Sequence, residues 1–288
     1  MPGLRKAGGF TITSTPSQAL PAPSASPPSS SHINNSHDHS HSGNTKNDDR
    51  DAGDRNGNNA TPYLELAVQN SPSNPPAAWL WRFPDEILGS ELHVRVGGSF
   101  TWPPHGWSAE RVRQIRKIIF VAGGVGINPL ISMVASIFEN RHVARDMRTP
   151  RAEIVFLYST KIPSPSSTSL AGGDATLEYG SADEILFLPR LRSLSAENPS
   201  MRLSLYLTGS SSNKYSTSTS KFVLNDIDSA PKHHRIGPAD LEDALGRDEE
   251  LRRETVVYVC GPPAMTDEIV AWFEGNGLDG RVFCEKWW

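Results

Sequence analysis

Beyond Arg113 the chain alternates short, wholly apolar runs with longer stretches of helical period. The runs at 118–122, 154–158, 203–207, 256–260 and 282–284 are rich in Val, Ile, Leu and Phe, without the polar alternation of a half-solvated strand. Such runs predict strands buried on both faces. Between them, 130–140, 182–195, 238–245 and 263–276 predict helices. Strand alternating with helix is the pattern of an α/β fold, here a doubly wound five-stranded parallel sheet with right-handed crossovers. The Ser-, Thr- and Gly-rich inserts near 162–179 and 209–220 predict surface loops.

Upstream the pattern is different. Leu64, Leu66 and Val68 alternate with Glu65, Ala67 and Gln69, and Leu92, Val94 and Val96 with His93 and Arg95, predicting two half-buried strands. Pro75 to Trp81 between them predicts a short helix capped by Asn74 or Ser73, with proline in the first turn. Gly9 to Thr13 alternates like one more strand, bounded by Pro16. From Pro16 to Ala60 almost nothing is apolar, so burial cannot repay the entropy of ordering. The expected organisation is therefore an isolated strand in 1–15, a disordered low-complexity insert in 16–60, an incomplete set of barrel strands in 61–113, and the α/β domain in 114–288.

Composition sharpens this only locally. The 37% of apolar residues and 23 each of Gly and Pro fit a chain whose first part lacks a core. A net charge of −4 gives no general attraction to nucleic acid, and no apolar run reaches the roughly 20 residues of a bilayer span. Cys260 and Cys284 are too few for a disulfide scaffold and suit a reducing, intracellular compartment. Arg5 and Lys6 precede a Ser-rich stretch with no acid before Asp38, a composition shared by organelle transit peptides and disordered leaders. That leaves mitochondrial and cytoplasmic locations both open. His32, His37, His39 and His41 have the chemistry to bind a soft metal, but such tracts are usually solvated linkers, and no metal site is expected.

Candidate chemistry lies in two bends. The first apolar run enters Gly123, Gly124, Val125, Gly126, Ile127, Asn128 and Pro129, after which a helix begins. Glycines there remove β-carbons that would hold a pyrophosphate off the backbone, and the helix start offers amides and a positive dipole end. A glycine turn alone equally suits a tight strand-to-helix turn without a ligand. The fourth run ends in Cys260, Gly261, Pro262, Pro263, Ala264 and Met265, a second such bend on the same carboxyl edge, where open α/β sheets bind ligands.

GGVGINP and CGPPAM together resemble the G-G-[TV]-G-[IL]-x-P and C-G-x-x-x-M turns of the ferredoxin-NADP reductase superfamily, and Glu285-Lys286-Trp287 resembles its terminal Glu-x-aromatic. The resemblance implies a ferredoxin reductase-like NAD-binding domain preceded by a partial FAD-binding β-barrel. Its cofactors would be NAD(P)H and FAD, its activity hydride transfer between nicotinamide and flavin, and its partners the dinucleotide and an unspecified electron acceptor. It assigns Gly123, Gly124, Val125, Gly126, Ile127, Asn128 and Pro129 to the pyrophosphate. Cys260, Gly261, Pro262, Pro263 and Met265 go to the nicotinamide, and Thr11, Cys260, Glu285 and Trp287 to the reacting rings. Phe10 and Thr11 would flank the flavin, Thr208 the dinucleotide, and Trp288 competes with Trp287 for the stacking role.

The pattern also departs from the family. Gly8 stands where members carry an Arg for the flavin pyrophosphate, and Asn74-Pro75-Pro76-Ala77-Ala78 replaces a Gly-x-x-[ST] turn. Two prolines withdraw amide donors from that turn. No acid follows the second strand at Ser159-Thr160-Lys161, and the third runs into Thr208 to Lys214 without the Arg of NADP-preferring members. The lean is to NADH, with Lys214 keeping NADPH open. The rival expectation is a nucleotide-binding module, or a truncated reductase, without flavin binding.

Overall fold

The computed structural model describes residues 7–20, 61–143, 152–161, 182–209 and 230–286. Its centre is a parallel sheet of β1 (Lys117–Gly123), β2 (Glu153–Lys161), β3 (Met201–Thr208), β4 (Thr255–Gly261) and β5 (Val282–Lys286), in the order β3-β2-β1-β4-β5. All five predicted strands form. Strands buried along their whole length, as β1 and β4 are, need apolar cover on both sides. One apolar cluster joins Ile118, Phe120, Ala122, Tyr258 and Cys260 to helices α4 (Ile127–Val143) and α5 (Leu188–Glu197). The other joins Ile119, Val121, Val257 and Val259 to α6 (Pro238–Leu245) and α8 (Pro263–Phe273). Period-2 alternation along each strand thus feeds two opposite cores.

Helix starts follow their capping chemistry. Pro129, Pro189, Pro238 and Pro263 each stand in a first turn, where a missing amide hydrogen does no harm. Asp240 accepts the Gly237 backbone N–H at 3.0 Å at the start of α6. At the amino edge, buried Lys117 donates to the carbonyls of Ala244 and Leu245, both at 3.3 Å, capping the carboxyl end of α6.

Among the described residues the helices of the amino-terminal part are short, α1 (Pro75–Leu80), α2 (Pro84–Ile87) and α3 (Ala109–Arg113), and α7 (Glu249–Arg253) precedes β4. α1 is the helix predicted from Pro75, with Asn74 accepting from Ala77 N at 3.4 Å. The β-structure expected between Tyr63 and Trp102 does not form a ladder. Among the described residues its one bridge is antiparallel, Ile12 to Leu66. The 92–96 segment is unpaired, leaving Leu92, Val94 and Val96 at 59%, 64% and 72% exposure. Alternation marks a face that can be buried, but a strand also needs a neighbour for its amides, and the described residues supply none.

Residues 12–18 instead dock through polar groups. The Thr15 and Ser17 hydroxyls donate to Glu139 on α4 at 3.0 and 2.6 Å, and Ser132 donates to the Ser14 carbonyl at 2.7 Å. Glu65 accepts from Thr13 at 2.8 Å and from Arg190 on α5 at 3.0 Å. Phe100, Trp102 and Trp107 pack on the α4 face of the sheet, with the Tyr258 hydroxyl donating to the Thr101 carbonyl at 2.9 Å. Among the described residues no helix is long and apolar enough to cross a membrane.

Candidate functional site: two bends at the sheet switch point

Strand order reverses at β1, so the crevice favoured for ligands lies between the carboxyl ends of β1 and β4. Both bends begin there, and they touch. Gly261 lies against Gly123, where an added β-carbon would stand 3.1 Å from Gly123 Cα. A β-carbon on Gly126 would fall 2.1 Å from the Cys260 carbonyl oxygen. One on Gly123 would meet Met265 Sδ at 2.7 Å and Pro262 Cδ at 2.9 Å.

The glycines therefore separate into two roles. Gly126 and Gly261 let two backbones approach, and Gly123 makes room for the Pro262 and Met265 side chains. Gly124 is half-buried at φ +54°, and nothing lies within 4 Å of where its β-carbon would be. It is the glycine with open space beside it, followed by Val125 and the first turn of the 17-residue α4, where the Ile127 N–H bonds back to the Gly124 and Val125 carbonyls and Pro129 has no amide hydrogen. Sequence alone could not divide the glycines, because the division depends on which strand is the neighbour.

The remaining residues distribute around this point. Ile127 and Pro129 are buried, and Asn128 is 4% exposed, with Nδ2 donating to the Ala67 carbonyl at 2.8 Å and Oδ1 buried without a partner. Cys260 has no exposed surface, so in this conformation its sulfur belongs to the core while its carbonyl shapes the bend. Pro262 is exposed, and Pro263 and Met265 are half-buried at the start of α8. Glu285 pairs in register with Cys260 across β4 and β5. Partial burial raises its carboxyl above the usual carboxylate range. Thr208 ends β3 on the far flank, donating to the Thr160 carbonyl at 3.1 Å. Trp287, Trp288, Lys214 and the His32 to His41 tract lie outside the described residues.

On the flavin side, Phe10 and Thr11 are half-buried, and Gly8 approaches α1 so closely that a β-carbon would lie 2.8 Å from Pro76 Cβ. The two flavin-side segments are thus adjacent, but they offer a diphosphate fewer donors than the family pattern does. Pro75 and Pro76 have no amide hydrogen, the Ala77 N–H is taken by Asn74, and the position of the expected Arg is closed by a proline ring. Among the described residues no group of His, Cys, Asp and Glu could hold a metal.

Residues 120–270, just over half of the chain, match the family described as "Oxidoreductase NAD-binding domain". This chain belongs to that family. Among curated members, a Bos taurus protein named "Oxidoreductase NAD-binding domain-containing protein 1" is 31% identical over 229 residues, 78% of this chain, and a Homo sapiens protein of that name is 30% identical over 235. The chain spans 60% of the length of either relative. A Chaetomium globosum protein named "NADH-cytochrome b5 reductase 2" is 27% identical over 223 residues, covering 74% of this chain and 47% of that protein. The solved CS-b5R domains of human Ncb5or superpose at TM-score 0.46 with 13% identity, over 78% of this chain and 49% of theirs. The NAD-binding oxidoreductase domain seen here is therefore a pyridine-nucleotide module, with GGVGINP and CGPPAM as its two contacting bends.

Proposed function

We propose that this chain is an NAD(P)H oxidoreductase of the flavin-linked kind, in which Gly124, Val125 and the first turn of α4 hold the pyrophosphate while Gly261 and Pro262 bound the nicotinamide. The observation that carries this reading is the contact of the two bends at the switch point, with open space left over Gly124. The chain's own part is positional. Hydride transfer needs donor and acceptor carbons in contact with water excluded, and a bound nicotinamide supplies the hydride itself. Glu285, half-buried beside the second bend, is the group placed to hold a proton there. Thr11, and Trp287 at the carboxyl terminus, are assigned to the flavin side.

A second reading, a dinucleotide-binding module without flavin, draws support from the Gly8–Pro76 contact and the missing amides of α1. Calorimetry with NADH and FAD, combined with NADH oxidation by an artificial acceptor, separates the two. NADH binding together with FAD-dependent turnover supports the reductase. NADH binding without FAD binding or turnover supports the module, and binding of neither NADH nor NADPH refutes both.

A further inference from the structure

A second recess lies at the opposite, amino edge of the sheet, where α3, α7 and the starts of β4 and β5 meet. It is a cavity of about 110 Å³ whose lining includes Trp107, Arg111, Gln114, Arg253, Glu254 and Arg281. Two of its three guanidiniums are held in place. Arg111 stacks 3.5 Å from the centre of the Trp107 ring, and Arg281 donates to the carbonyls of Arg252 and Arg253 at 3.1 and 2.6 Å. Arg253 is exposed beside them.

None of the three has a carboxylate partner among the described residues. The one carboxylate lining the recess is Glu254, and it lies 3.7 Å from a fourth cation, Arg116. Some arginines elsewhere do find acids, as with Arg202 and Asp243 at 2.9 Å or Arg252 and Glu242 at 2.7 Å, so the recess is marked by the gathering of three such guanidiniums around one cavity rather than by the lack of a partner alone. Like charges gathered in a recess repel, and water screens them only in part. A small anion relieves that repulsion and satisfies guanidinium donors aimed at planar oxygens.

We propose that this recess is an anion site for a dianionic phosphate group carried by a small molecule, separate from the dinucleotide crevice. Three guanidiniums against one already paired carboxylate match a doubly charged oxyanion better than a single carboxylate, and the volume suits a phosphate group rather than a whole dinucleotide.

Inorganic phosphate is the probe, titrated into the full chain at constant ionic strength set by chloride, with the melting temperature and the 31P line width as readouts. The expected result is a saturable effect absent with chloride alone. Arg253→Gln, at an exposed side chain, should retain the wild-type melting temperature in chloride and need about tenfold more phosphate for half the effect. Arg111→Gln should act in the same direction, and saturating NADH should leave the phosphate effect in place. No saturable effect, an undiminished effect in Arg253→Gln, or displacement of phosphate by NADH would each overturn the assignment, the last by moving the anion to the dinucleotide crevice.

Discussion

Gly126→Ala is the sharpest probe of the contact between the bends. The new methyl carbon would start 2.1 Å from the Cys260 oxygen and 2.4 Å from its carbonyl carbon, while ordinary contact begins at 3.4 Å. The bends must therefore separate by about 1.3 Å, the difference between 3.4 and 2.1. That movement falls on backbone in the β1–β4 ladder, not on a side chain that can rotate away. Overpacking of this kind costs roughly 1–3 kcal/mol, and stretching a ladder hydrogen bond adds about 1. With a total near 3 kcal/mol, a domain of this size should melt roughly 6–12 °C lower. Gly124→Ala is the control, since it meets no atom within 4 Å but must hold φ +54°. That conformation costs about 1–2 kcal/mol. Calorimetric melting with and without NADH should show Gly126→Ala losing most stability, and Gly124→Ala losing NADH affinity out of proportion to its stability. A Gly126→Ala melt within about 2 °C of wild type, or one above that of Gly124→Ala, would refute the packing argument.

Three further outcomes are expected. Glu139→Ala removes the acceptor of Thr15 and Ser17, so amide hydrogen exchange across residues 12–18 should accelerate while the exchange of β1 and β4 stays unchanged. For Asp240, burial pushes the carboxyl upward, but hydrogen bonds from Lys232 and from Gly237 N together hold it below its ordinary 3.8. A depressed acid stabilises the fold above its unfolded pKa and loses that contribution as pH falls through its folded value, so Asp240→Asn should flatten the stability loss below pH 3.8. Glu285 has the opposite sign, because burial raises it above 4.5 and the wild type loses stability as pH climbs through the raised value. Glu285→Gln should therefore melt no lower than wild type at neutral pH while slowing NADH turnover roughly a hundredfold or more.

Long apolar runs and longer helical stretches were legible because period and length agree. All five strands formed where predicted, and the predicted helix from Pro238 to Leu245 matches α6 at both ends. α2, α3 and α7, each of four or five residues, are too short to show a period, and the sequence pattern predicted none of them. The alternation of Leu92, Val94 and Val96 misled because pattern specifies a face, not a partner. At the site, the motifs located both bends, yet nothing in GGVGINP distinguishes Gly124, with open space beside it, from Gly126, wedged against β4. Asn128 was named only as part of the turn, while its bond to Ala67 comes from a segment 61 positions earlier, a distance no local pattern can read. The Arg111, Arg253 and Arg281 recess was invisible for the same reason.

The pairing of Ala122 with Cys260 joins positions 138 residues apart, the difference between 260 and 122. Contacts so distant along the chain form late, after the intervening loop has been closed. During synthesis the contact between the two bends accordingly stays half-built until β4 has left the ribosome. Products ending before Thr255 should refold no better with NADH than without it, because they lack the strand that carries the second bend.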